Sequence, residues 1–267
     1  MSWAVILGAS SGTGAAIGRA LAREPGLDVY GVHRGNHPDG AAALVDEVRG
    51  RGRRCILDVA DAAPPERADE LCAGLRQRVG PGSVRLFVHS IANASVSRLA
   101  IDKPVHYKQV QRTFDGMAHS FVWWTQALLR HELLAPGARL LALSNPMVGQ
   151  VLRGTALIAA SKAALGVYVR HLAVELGPLG YRVNTLTFGA VMTTALRRTV
   201  GGDEAPRFEA TVAGAVPAGR LATLDEVARV VSFLASDAAD FFNGADLDFT
   251  GGETSALLDR LTFPEER

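Results

Sequence analysis

Residues 3–18 read WAVILGASSGTGAAIG: five apolar residues run into a turn of small residues and then into an alanine-rich segment. An apolar pentapeptide followed at once by glycines and a helix-forming stretch is the signature of a strand, a tight turn and a helix. Gly8, Gly12 and Gly14 stand where the chain must turn sharply and let its backbone approach a phosphate. The free N–H groups and positive dipole end of the following helix then favour the pyrophosphate of a dinucleotide. Ser10 and Ser11 can add hydroxyl contacts, and Thr13 lies in the same loop. The alternative for these glycines is a tight turn with no ligand.

Outward from this loop, short apolar runs alternate with longer amphipathic ones, which predicts an α/β protein: a single-domain, doubly wound, seven-stranded parallel sheet with helices on both faces. The runs Trp3 to Leu7, Asp28 to Val32, Arg53 to Leu57, Arg85 to His89, Arg139 to Leu143, Arg182 to Leu186 and Ala245 to Phe249 read as strands. Helices are expected at Ala15 to Arg23, Ala41 to Arg49, Glu66 to Arg78, Val110 to His131, Thr155 to Leu176 and Leu224 to Leu234. Residues 1–267 form one domain with no repeat or linker. The glycine- and proline-broken stretch at about 190–218 reads either as a substrate lid or as a surface excursion.

The second strand ends in His33 and Arg34, with His37 nearby, where an NAD site places a carboxylate for the ribose hydroxyl. A guanidinium there pairs with a 2'-phosphate, so NADP(H) is favoured over NAD(H). Asp58, after the third strand, is placed either to accept from the adenine amino group or to cap a helix. Composition bounds the rest. The chain has 267 residues, a formal charge of +1 and no basic stripe interleaved with aromatics, which argues against a nucleic-acid partner. Cys55 and Cys72 read as buried thiols of a reducing compartment, and no stretch reaches the roughly 20 apolar residues of a membrane span, so a cytoplasmic protein without a membrane partner is expected. The seven histidines show no metal-ligand spacing.

These motifs, with the segment LASDAADFFNGADLDFTGG ending at Gly251 and Gly252, resemble the short-chain dehydrogenase/reductase superfamily over essentially the whole length. Asp58-Val59 matches its adenine-binding pair. Within it the chain is most similar to divergent enoyl-acyl carrier protein reductases, through FVHSIANAS, ELLAPGARLLALSNP and ELGPLGYRVNTLTFGAVMTT. The resemblance implies that Ser90, Ile91 and Ala92 lie against the nicotinamide ribose and that Gly189 and Thr193 frame the carboxamide. It also implies that Lys162, in ALIAASKAAL, holds the ribose diol. The family's tyrosine, four residues before the lysine, is Ile158 here; the enoyl-reductase positions correspond to Thr155 and Asn145, and the usual asparagine of the long helix is Met117. Isoleucine does no acid or base work, so dehydrogenation by the ordinary Ser-Tyr-Lys mechanism is not expected.

Ser144, Asn145 and Thr155 compete to orient a substrate carbonyl, with loop capping as the alternative, and His119 can titrate near neutrality or serve in packing. Met147, Phe188, Met192 and Leu196 suggest an apolar substrate crevice or plain core packing. The leading expectation is an NADPH-dependent reductase of a conjugated carbonyl or enoyl group on a small-molecule or acyl-thioester substrate that is apolar, cyclic or polyketide-like. The alternatives are a non-redox cyclase, isomerase or dehydratase and a non-enzymatic partner or sensing protein. Phe121, Trp123, Trp124 and Tyr168 on the two long helices suggest an interface, hence a homodimer or homotetramer.

Overall fold

Alternation along the strands decides which side chains meet on each face of the sheet. In β1 (Trp3–Leu7), the side chains of Trp3, Val5 and Leu7 join one core, and those of Ala4 and Ile6 join the other. Every residue of the strand is buried, so this central strand is apolar at every position. The computed structural model describes residues 2–255 and, within them, all seven expected strands. The others are β2 (Asp28–His33), β3 (Cys55–Val59), β4 (Val84–His89), β5 (Leu134–Ser144), β6 (Arg182–Phe188) and β7 (Asp246–Phe249). They form one sheet, in the order β3-β2-β1-β4-β5-β6-β7, with every neighbouring pair parallel. This is the single-domain Rossmann arrangement expected from the sequence.

Helices α1 (Gly12–Arg23), α2 (Pro38–Arg49) and a later helix at Leu224–Leu234 cover one face through Ile17, Leu21, Leu44, Val227 and Val231. The other face is covered by α3 (Pro65–Val79) and by two segments that depart from expectation. The predicted helix from Val110 to His131 is divided into α4 (Tyr107–Phe114), a π-helical turn (Asp115–His119) and α5 (Ser120–Arg130). Gly116 supplies the weak point, and the Ser120 hydroxyl donates to its carbonyl at 2.9 Å. Next comes α6 (Ala156–Leu176). Contrary to the sequence reading, residues 156–179 are long and apolar enough to cross a membrane, with a hydropathy of 1.3. Leu157, Lys162, Leu165, Val169 and Ala173 of this helix are nevertheless buried, and it packs on the sheet through β5 and β6. The glycine-rich stretch after β6 is also more regular than expected, folding as α7 (Thr194–Thr199), α8 (Ala205–Ala215) and a 3-10 turn between them; Leu224–Leu234 is α9.

The aromatic residues read as an interface belong largely to this chain's own core. Phe121 and Trp124 are fully buried, stacked on Phe87 with ring centroids 5.5 and 6.4 Å apart. Trp123 and Tyr168 pack against the same cluster. The Trp124 indole donates to the Ala62 carbonyl at 3.0 Å, tying α5 to the segment after β3. Cys55 and Cys72 are buried free thiols, as expected. Replacing Trp124→Ala removes both the ring and this hydrogen bond and should cost about 3–5 kcal/mol, read as a lower urea midpoint.

Candidate active site

The sheet order reverses between β1 and β4, and a crevice of about 460 Å³ opens at their carboxyl ends. Its floor is the loop quoted first. Gly8 has a φ of +85°, and a Cβ there would stand 2.4 Å from the Ser90 carbonyl oxygen; a Cβ on Gly14 would stand 2.2 Å from the Gly8 carbonyl. Glycine is therefore obligatory at both positions, and the N-terminus of α1 is drawn against the strand end. Gly8, Ser10, Ser11, Gly12, Thr13 and Gly14 all line the crevice. The serine at the N-cap, Ser11, makes no side-chain bond to its own helix, so its hydroxyl is left for a ligand.

One end of the crevice is lined by His33 and Arg34, as the sequence suggested. Burial lowers the His33 pKa, and its Nδ1 accepts from the Gly35 N–H at 3.1 Å, which places the imidazole proton on Nε2. Asn36, His37, Asp61 and Arg112 line the same crevice. Of these, sequence reading had noted only His37. Arg112 lies one helical turn before Gly116, itself a lining residue, so its face was recoverable from the period of α4. Asp58 and Val59 are not lining residues. The Asp58 carboxylate accepts from the Tyr30 hydroxyl at 2.7 Å and from Arg78 at 3.1 Å, and Val59 is exposed; the wall at this point is Ala60 to Ala63. The Asp58 carboxylate thus takes part in an ion pair that fastens β3 to α3.

At the other end the structure brings together Ser90, Ile91, Ala92, Ser144, Asn145, Lys162, Phe188, Gly189, Thr193 and Leu196. Lys162 is buried, and its ammonium donates to the Leu143 carbonyl at 2.7 Å and the Ile91 carbonyl at 3.3 Å, joining the ends of β5 and β4. Burial lowers its pKa to about 7. His89, beneath it, is lowered to about 3 by burial and by the Lys162 charge. The Ser120 hydroxyl spends its proton on Gly116, so His89 Nε2 is the donor in their 2.8 Å contact. His89 Nδ1 is then a buried acceptor without a partner. Asn145 Oδ1 accepts from the Met147 N–H at 3.1 Å, which leaves the amide NH2 as the end able to donate into the crevice.

Three candidates fall outside. The Thr155 hydroxyl donates to the Leu152 carbonyl at 2.8 Å, stabilising the turn into α6, and Met147 and Met192 are half-buried beside the crevice without lining it. Thr193 has a second task as cap of α7, its hydroxyl accepting from Leu196 N–H. His119 is a packing residue between Phe114 and Tyr168. None of the chain's four tyrosines lines the crevice: Tyr30 is bound to Asp58, Tyr168 to His119, Tyr107 is exposed, and Tyr181 packs at the core edge.

Comparison with known proteins agrees with this architecture. The family described as Enoyl-(Acyl carrier protein) reductase matches residues 8–254. The chain is 33% identical to D-threitol dehydrogenase of Mycolicibacterium smegmatis over 94% of its length and 92% of the relative's. It is 30% identical to 1-cyclohexenylcarbonyl-CoA reductase of Streptomyces collinus, covering 93% of this chain and 85% of that one. A solved NADPH-bound short-chain oxidoreductase of Pseudomonas aeruginosa, described as containing an atypical catalytic center, superposes with a TM-score of 0.82 at 25% identity, covering 94% and 96% of the two chains.

The burial of Lys162 has a consequence for stability. Between its folded value of about 7 and its unfolded value of 10.5, the unfolded chain binds more protons, so stability rises with pH across this window. Urea denaturation of the nucleotide-free protein at about pH 7 and about pH 10 should show that rise, and Lys162→Met should flatten it.

Proposed function

Since the chain belongs to the short-chain dehydrogenase/reductase superfamily of oxidoreductases, we propose that it is an NADPH-dependent reductase of a conjugated carbonyl or enoyl group in an apolar acyl, cyclic or polyketide-like substrate. The observation that carries this reading is a nucleotide crevice complete down to its buried lysine but without any phenol at the reacting end. A ketone reductase needs an acid at the alkoxide oxygen as hydride arrives. Conjugate addition places the charge on a carbonyl oxygen one bond system away, where neutral hydrogen-bond donors suffice to hold it. The name of the Streptomyces collinus relative, a reductase of a conjugated cyclic acyl thioester, supports the same substrate class.

The residues present fit NADP(H). Gly8 and Gly14 leave a cradle that a side chain would fill, with helix N–H groups behind it for the pyrophosphate. Arg34, with Asn36 and His37 on the same turn, meets the 2'-phosphate. Lys162 turns its ammonium to the ribose diol while keeping its hold on the backbone carbonyls at the ends of β4 and β5. Gly189 and Thr193 frame the carboxamide. When bound, the nicotinamide supplies the hydride. The Asn145 amide and the Ser144 hydroxyl orient the substrate carbonyl and stabilise its developing charge, and Phe188 and Leu196 exclude water around the double bond. The segment 190–218 closes this end as a lid, Val191, Thr193, Thr194 and Leu196 being its contribution to the wall. The exposed Val167 and Val174 on α6 suit a homodimer or homotetramer, and the buried thiols of Cys55 and Cys72 suit the cytoplasm.

Purified protein titrated with NADPH and NADH by nicotinamide fluorescence should bind NADPH more tightly. Arg34→Ala should weaken NADPH by about 10- to 100-fold, the loss of one charge-assisted contact, and leave NADH unchanged. NADPH oxidation should follow with enones, enoyl thioesters or polycyclic quinones. Asn145→Ala should lower kcat by about 100-fold, the usual effect of losing one donor to a developing oxyanion. Binding without turnover across the panel would transfer the reading to a non-redox cyclase, isomerase or dehydratase.

A further inference from the structure

Two loops rise from the reacting end of the crevice. One leaves β4 through Ser90 and Asn93, the other leaves β5 through Ser144 and Asn145, and all four residues line the crevice. Beyond them the loops meet. The Ser97 N–H donates to the Gly154 carbonyl at 3.0 Å, and a Cβ on Gly154 would stand 3.3 Å from Val96 Cγ1. The first loop is also closed on itself: the Val105 N–H donates to the Arg98 carbonyl at 2.9 Å, and the Ser97 hydroxyl donates to the Lys103 carbonyl at 2.8 Å. Asp102 and Lys103 turn its tip with φ of 49° and 63°. The two loops therefore form one joined rim beside the mouth of the crevice.

This rim presents aliphatic side chains to the outside. Val96, Leu99 and Ile101 on the first loop are 60, 59 and 58% exposed; on the second, Val148 and Leu152 are about half exposed and Val151 fully so. Six of the fourteen exposed large apolar side chains among the described residues thus fall on two joined loops. Cations surround them. Lys103, Lys108, Arg112 and Arg153 have no acidic partner among the described residues, and Asp102, the one carboxylate within residues 94–112 and 146–155, is paired with Arg98 at 3.5 Å. Charge and apolarity together discriminate among occupants. A second copy of the chain would set these cations against the same cations across a two-fold axis. An acidic protein would satisfy the charges, but aliphatic side chains on loop tips are not the aromatic anchors such interfaces favour. A bilayer surface suits both features, because aliphatic side chains enter the acyl boundary while Lys and Arg pair with anionic headgroups around them.

We propose that this rim docks on an anionic lipid surface, with the mouth of the crevice beside the bilayer. Docking of this kind needs no membrane-spanning helix, and it revises the expectation of a protein without a membrane partner. An apolar substrate dissolved in the bilayer then enters the crevice without crossing water. The docking holds whatever the reaction; the route of entry rests on the reductase reading.

The test is co-sedimentation of the purified full chain with lipid vesicles. It should sediment with phosphatidylcholine vesicles carrying about one part in three of phosphatidylglycerol, and not with phosphatidylcholine alone. Salt at about 1 M, where the Debye length falls to about 3 Å, should release it. Val151→Asp with Leu152→Asp should weaken binding about 100-fold, and Lys103→Ala with Arg153→Ala about 10- to 30-fold, each with its urea midpoint unchanged. Leu99→Ser with Ile101→Ser, on the other loop, repeats the apolar test if the first pair does not fold. Failure to sediment with the anionic vesicles, or sedimentation indifferent to salt and to every substitution, overturns the proposal. So does capture on polyglutamate beads without vesicle binding, which assigns the rim to an acidic protein. A lower gel-filtration mass in the Val151 and Leu152 variant, with vesicle binding kept, assigns the rim to a second copy and likewise overturns it. Sedimentation is read without turnover, so failure of the reductase reading leaves this test standing.

Discussion

The close approach of Gly14 to the Gly8 carbonyl is the constraint on which the rest of the molecule depends. No side chain fits between them, so the first helix begins hard against the end of the central strand and its free N–H groups face the crevice. Gly8 is in turn pressed against the Ser90 carbonyl, which fixes where the fourth strand ends. From there the positions propagate: Ile91 and Leu143 offer their carbonyls to one buried ammonium, and that ammonium sets the approach of α6 to the sheet. The crevice is a product of backbone approaches rather than of large side chains closing on one another.

Charge follows the same geometry. The lining contains Arg34 and Arg112 against one carboxylate, Asp61, so a chain of almost zero net charge concentrates a positive field where a polyanionic nucleotide must enter. At the reacting end the balance is different. Lys162 and His89 are both held below their ordinary pKa values by burial. Burial therefore pushes both groups towards neutrality at this end of the molecule.

What the sequence disclosed and what it concealed divide along the range of the interactions involved. The strands, the glycine loop, Arg34 and Lys162 were legible because each is announced by neighbours within a few residues. The partners of Asp58, Tyr30 and Arg78, were not legible because they lie 28 and 20 residues away. Phe121 and Trp124 looked like interface residues because periodicity cannot distinguish a face that meets Phe87 from one that meets a second subunit. Thr155 and the two methionines sit beside the crevice in sequence terms, yet a hydroxyl bonded to Leu152 and half-buried thioethers do not reach it.

The π-helical turn at Asp115–His119 gives the segment from Tyr107 to Arg130 two independent rotational settings. An α-helix advances about 100° per residue, so one wider turn changes the phase of everything beyond it. Arg112 and Gly116 are thereby presented to the crevice, while Phe121 and Trp124 keep the orientation their stack on Phe87 demands. Sequence change on the ligand-facing half is mechanically insulated from the aromatic stack. A lineage carrying this turn is free to explore new substrates along α4 without renegotiating the packing that keeps the sheet covered.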